Sequence, residues 1–174
     1  MINLKRSLTR PLRQVHSSLI VIFLVIAVVG FADAGYLTIE HYKNAIPPCS
    51  ITGGCELVLT SAYATVLGIP VALLGAAYYF LVAAGAFAYL ESKKDAPFRL
   101  SCALVMIGFL VSLWFFCLQA FVIHSYCTYC LGSAAMTTIL FILTVIILSK
   151  YSGQGASDDA IHGPGGASSE VNHV

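Results

Sequence analysis

Charged side chains are scarce here: nine Lys and Arg and eight Asp and Glu among 174 residues. A soluble domain carries about 25% charged residues, so a chain with 10% lacks the polar coat that water requires. A net charge of +1 leaves no basic face of the kind that binds nucleic acid. No stretch alternates polar with apolar residues, which excludes a membrane β-barrel, and there is no internal repeat. What is abundant is hydrophobic side chain, 59% of the residues, and lipid can solvate that content without an aqueous core.

The apolar residues gather into four stretches, from Leu19 to Leu37, Tyr63 to Leu90, Leu100 to Ile123, and Leu131 to Ser149. Each reaches the roughly 20 residues that cross a hydrocarbon core about 30 Å thick. The expected fold is an all-α integral membrane protein, a four-transmembrane-helix bundle. The second stretch contains Pro70 within GIPVALLG, which predicts a tilt or kink there. Residues 1–17 read as a basic cytoplasmic arm, 18–150 as the membrane domain, and 151–174, rich in Gly, Ser and Ala, as a disordered cytoplasmic tail.

Cytoplasmic loops are enriched in Lys and Arg. Lys5, Arg6, Arg10 and Arg13 precede the first stretch, Lys93, Lys94 and Arg99 join the second to the third, and Lys150 follows the fourth. The first connection holds Lys43 alone and the third holds none. Both termini therefore belong in the cytoplasm, and the first loop (about 40–62) and the third turn face outward. The basic start, the apolar run from Leu19 and the small residues Ala32-Asp33-Ala34 also fit a cleavable signal peptide. Cleavage would move no downstream cysteine across the membrane.

The outer loop contains Pro47-Pro48 and Gly53-Gly54, which forbid a continuous helix, while CELVLTSAY suits a short interfacial helix. Of six cysteines, Cys49 and Cys55 lie in this loop as C-x5-C, and Cys127 and Cys130 lie in SYCTYCLG as C-x2-C. Cys102 and Cys117 are 15 residues apart within the third stretch, roughly 22 Å along a helix. They cannot bridge each other, because disulfide Cα atoms sit within about 7 Å, and they read as buried small hydrophobes.

Topology puts the other four on one side, which in a bacterium is the oxidising side where disulfides persist. They could be structural disulfides or a tetrahedral zinc centre, although C-x5-C with Gly-Gly inside is looser than a zinc knuckle. A C-x2-C ring adds little loop-closure stabilisation and is more often redox-active or metal-bound. Near a helix N-terminus the dipole also favours thiolate, the form that exchanges disulfides.

Together GYLTIEHY, Cys49-SITGG-Cys55, ELVLTSAYATVLGIPVALLG and Cys127-TY-Cys130 resemble the vitamin K epoxide reductase family, specifically its stand-alone bacterial members, over roughly residues 17–150. The resemblance implies a bundle in the bacterial inner membrane that holds a quinone, ubiquinone or menaquinone, at its outer end. Cys127 and Cys130 would be the active-site pair, and Cys49 and Cys55 a shuttle exchanging with a DsbA-like thioredoxin-fold partner. Cys49 would meet the partner, Cys55 relay to Cys127, and Cys130 face the quinone, with Ser61 hydrogen-bonding near the pair. Many bacterial relatives carry a fused thioredoxin-like domain; here the bundle is followed by the polar tail, so a separate partner is expected. Animal members contact vitamin K through an asparagine near the start of helix two. The neighbourhood Tyr63-Ala64-Thr65 has none, which favours quinone over epoxide reduction.

Tyr126, Tyr129 and Trp114 are further candidates for the quinone pocket. Asp33, an acid within an apolar run, is a functional candidate by default, although the simplest place for its carboxylate is the outer interface.

Overall fold

The computed structural model describes residues 17–153 except 46, 49–53 and 93. The chain runs through α1 (Ser17–Tyr42), a short α2 (Cys55–Leu59), a 3-10 turn (Ala62–Ala64), β1 (Thr65–Val66), β2 (Ile69–Pro70) and α3 (Val71–Ser92). Then come α4 (Asp95–Cys117), which continues as a π-helix (Leu118–Ile123), and α5 (Thr128–Gly153). Four helices, α1, α3, α4 with its π extension, and α5, are long and apolar enough to cross a membrane. The protein is a multi-pass membrane protein with the expected four-helix architecture, and the short helix α2 lies in the connection between the first two spanning helices.

Apolar residues occupy nearly the whole circumference of each long helix, so hydrophobicity alone does not choose the inward face. Between helices in lipid, close packing takes over that role, and small residues permit it. The buried stripe of α1 is Ile20, Phe23, Ala27, Gly30, Ala34 and Leu37, and that of α3 is Ala76, Tyr79, Val82, Ala86 and Tyr89. Both recur every three or four residues, one face of an α-helix. Helix α1 packs against α3 and α5, and α4 packs against the same two, closing a ring of four. Large apolar side chains such as Phe80, Phe87, Leu110 and Trp114 remain exposed on the outside, where lipid covers them.

The two ends of the bundle differ. Where α1 and α4 begin and α3 and α5 finish, the interior is filled. Phe23 meets Phe98 edge-on at 5.4 Å, Tyr89 lies 5.3 Å from Phe98, and Ile20, Val82 and Ile147 complete a solvent-free core. At the opposite end the helices enclose a cavity.

Two expectations are corrected. The second spanning helix begins at Val71, not near Tyr63, and Pro70 does not kink it. Leu67 and Gly68 adopt left-handed φ values of 53° and 79°, the two central residues of a tight hairpin. That hairpin pairs Thr65 with Pro70 and Val66 with Ile69. Pro70 thus stands just ahead of the first helical turn, where its missing N–H breaks no helical bond. At the other end of the chain, α5 extends to Gly153, so residues 151–153 belong to the helix; the rest of the tail and the basic arm (1–16) lie outside the described residues.

Candidate active site

The Cys-x-x-Cys turn is held by the widened end of α4. The π-helix Leu118–Ile123 closes on His124, whose φ of 52° is left-handed, and the Ser125 N–H donates back to the Gln119 carbonyl at 3.2 Å. Such π segments recur at functional sites because they re-aim side chains. Here the buried Gln119 side chain turns to the returning chain, and its Oε1 accepts the Cys127 N–H at 2.9 Å. Cys127 then caps α5: its carbonyl accepts the Leu131 N–H at 3.0 Å and its Sγ the Cys130 N–H at 3.5 Å.

A sulfur at this position takes the role of an N-cap oxygen, and the free N–H groups of a helix start favour its negative form. The Cys127 thiol is accordingly lowered to about 7, first by the hydrogen bond from the Cys130 thiol and then by the Cys130 and Tyr129 N–H groups. Burial and the nearby Asp33 oppose the shift. Cys127 and Cys130 are free thiols.

The two cysteines face different surroundings. Cys127 is fully buried in a small cluster with Cys55 and Val58, flanked by Leu59, Ile123 and Tyr129. Cys55, at the start of α2, is disulfide-bonded; Cys49 lies outside the described residues. Gly54 permits the approach of loop and turn: a Cβ there would sit 2.8 Å from the Tyr126 carbonyl oxygen. Cys130, by contrast, lines the cavity, and Cys127 does not.

That cavity measures about 950 Å³ and lies between the C-terminal halves of α1 and α4 and the N-terminal halves of α3 and α5, beside α2 and the hairpin. Its walls are largely apolar, with Leu74, Val111 and Phe115 among them, and its polar lining includes Asp33, Ser61, Tyr78, Tyr79 and Thr137. Tyr79 is engaged: its hydroxyl donates to the Ser133 carbonyl at 2.7 Å and lies 2.8 Å from Thr137 Oγ1. Gly30 seats this ring, since a Cβ there would come 2.6 Å from Tyr79 Cζ.

The structure brings Cys55, Cys127, Cys130 and Ser61 together but sets the two tyrosines apart from the cavity. Ser61 lines it, with its hydroxyl donating to the Val58 carbonyl at 2.7 Å rather than to a cysteine. Tyr129 packs 5.6 Å from Tyr36 and donates to the Pro48 carbonyl at 3.4 Å; Tyr126 packs 6.4 Å from Phe116. Neither lines the cavity, and both anchor the turn to its neighbours. Trp114 faces outward at 65% exposure. Asp33 does not reach for the interface: it lines the cavity, and its Oδ2 is buried.

Gln119, Tyr78 and Tyr79 were missed from sequence. A lone glutamine in an apolar helix was the available signal for the first; aromatic residues in apolar runs carry none.

Four apolar helices around a cavity, with Cys130 at its wall, the buried Cys127 behind it and a disulfide-bonded cysteine beside that, define a membrane protein organised around paired thiols. The chain belongs to the vitamin K epoxide reductase family, whose profile matches residues 21–145. Among curated proteins it is similar to thiol-disulfide oxidoreductase LTO1 of Arabidopsis thaliana, 31% identical over 121 residues. The matched region is 65% of this chain and 32% of the relative, so the chain spans about a third of that protein's length.

Proposed function

We propose that this protein is a membrane thiol-disulfide oxidoreductase that oxidises a DsbA-like, thioredoxin-fold carrier outside the cytoplasm and passes the electrons to a membrane quinone. The observation that carries the reading is the division of labour within one turn: Cys127 packs with Cys55, while Cys130, three residues on, lines the cavity. A dithiol so placed can exchange on one side and deliver on the other. Family membership supports the same reading, since its members use quinones in general, and so does the relative named for thiol-disulfide chemistry.

The cavity fits such an acceptor. Binding sites for flat organic molecules are mostly apolar, with a few placed polar groups, and occupy about 300–1,000 Å³; this one has both the walls and the size. Cys130, Ser61, Asp33 and Tyr78 would border the ring. A bound quinone supplies a sink for two electrons and two protons, the number one dithiol releases on closing to a disulfide.

The chain's own steps are thiol exchanges. The carrier's dithiol reduces the outer-loop disulfide, its two electrons entering as Cys49 and Cys55 and the carrier leaving oxidised. The Cys55 thiolate then attacks an oxidised Cys127–Cys130 bridge at Cys127, releasing the Cys130 thiolate. Cys49 resolves the mixed disulfide, leaving Cys127 and Cys130 reduced and the loop pair oxidised again. Cys127 as a helix cap is a good leaving thiolate on return, because a lower thiol pKa speeds departure. The eight Lys and Arg that the sequence places before α1, at the junction of α3 and α4 and near the end of α5 favour a cytoplasmic location for both termini.

The test is quinone reduction by the purified protein with a reduced DsbA-like carrier as donor. Turnover in the wild type and none in Cys130→Ala is expected. Full turnover in Cys130→Ala, or none in the wild type with any quinone, overturns the proposal.

A further inference from the structure

Among the described residues, three buried side-chain polar atoms lack a hydrogen-bond partner: Asp33 Oδ2, Tyr78 Oη and Thr144 Oγ1. The first two belong to residues that line the cavity; Thr144 does not. Buried polar groups are nearly always paired, and leaving one unpaired is costly. Two such atoms converging on one apolar chamber, from α1 and α3, mark the chamber as a site that a ligand completes.

Neither atom is free because its neighbourhood is loose. The Tyr78 ring is packed against Gly108 of α4, where a Cβ would come within 2.6 Å of its Cε2. It is also stacked edge-on to Tyr79 at 4.9 Å. Thr137 lies near the Tyr78 hydroxyl, yet not in hydrogen-bond geometry, and its own Oγ1 is engaged by Tyr79. Asp33 stands one turn before the buried Leu37 on α1, and the ion pair of that helix, Lys43 with Glu40, does not involve it.

We infer that Asp33 and Tyr78 are the polar anchors of the cavity, holding the two oxygens of a ring that carries carbonyl groups when oxidised and hydroxyl groups when reduced. The chemistry of the pair suits both forms. A tyrosine hydroxyl donates to a carbonyl and accepts from a hydroxyl; a carboxyl does the same, donating as the acid and accepting as the carboxylate. A purely apolar occupant, such as a lipid tail, would leave both atoms unpaired. This inference rests on the proposed quinone reaction and adds the residues that tell a quinone from an apolar ring of equal shape.

The probes are duroquinone and durene, the same tetramethylated ring with and without its two oxygens. Binding to the detergent-solubilised protein is measured calorimetrically, with the carbonyl stretch of bound duroquinone read by infrared spectroscopy. The wild type should prefer duroquinone, and its carbonyl band should be shifted down by hydrogen bonding. Asp33→Leu and Tyr78→Phe should each weaken duroquinone about tenfold, the loss expected for one hydrogen bond, while leaving durene unchanged. Asp33→Asn, which keeps shape and a donor, should recover most of the Asp33→Leu loss; durene binding in every variant verifies that the chamber is still folded. Retained preference and a carbonyl band as far shifted as in the wild type, in either single variant, overturn that residue's assignment while the quinone reading stands. A wild type that does not prefer duroquinone overturns both.

Discussion

Gln119 Oε1 accepts the backbone N–H of Cys127 at 2.9 Å, a bond made inside a solvent-free pocket. It fixes the start of α5, and with it the direction of both site sulfurs, from the π-widened end of α4. Replacing Gln119 with Leu would strand a buried donor, at a cost of about 1–3 kcal/mol. The thermal midpoint should fall, and with the cap loosened the Cys127 thiol should titrate at higher pH. Thermal unfolding and thiolate absorbance check the two effects separately. An unchanged midpoint would mean the bond does not position the turn.

Thiolate absorbance, read as the difference between wild type and Cys127→Ser, should show a transition at about pH 7 rather than the usual 9. The sign follows from the shift. A lowered folded value means the capping stabilisation is complete above the unfolded pKa of about 9 and is lost as pH falls through about 7. Exchange through Cys127 should slow over the same interval. In Cys130→Ala the hydrogen bond from the Cys130 thiol, which does most to hold the Cys127 value down, is gone, so the transition should move up toward 9.

Gly54→Ala places a methyl 2.8 Å from the Tyr126 carbonyl oxygen, which is backbone and cannot swing aside. Loop and turn must separate, and Cys55 should lose its reach to Cys127. The expected outcome is a large drop in the Cys55–Cys127 mixed disulfide trapped in a Cys130→Ser, Cys49→Ser background. Gel mobility before and after reduction measures it. Undiminished trapping would show that the loop has another route to the site.

Cys49→Ala should stop turnover with a protein carrier but spare part of the turnover with dithiothreitol, a dithiol small enough to reach Cys127. Cys130→Ala should abolish both. Quinone absorbance during steady-state turnover distinguishes the two patterns, and equal losses in the two variants with dithiothreitol would contradict the assigned order.

Four helices were legible because a spanning run is a property of composition, insensitive to how helices pack. The bundle's interior was not: with apolar residues on every face, only contacts decide that Ala27 and Gly30 point inward while Val28 and Val29 point out. Hydropathy also merged the hairpin at 65–70 into the helix that follows, although Leu67-Gly68 carried the turn. The cysteine pairs were readable as spacing, and Cys130 and Ser61 do border the cavity. Adjacent helical residues point about 100° apart, as 3.6 residues per turn requires. Which of Tyr78 and Tyr79 is satisfied therefore became visible only with the packing of α5. The widening that delivers Gln119 to Cys127 leaves no mark in residue type at all.

The filled end of the bundle, where Phe23, Phe98 and Tyr89 close on one another, has an energetic corollary. With the cavity confined to the other half, these rings separate it from the far end of the bundle among the described residues. In the proposed reaction, protons given up by the thiols and protons taken by the quinone would then exchange with the same compartment. Turnover would then carry no net charge through the bilayer, so oxidation of the carrier would neither draw on the membrane potential nor be slowed by it.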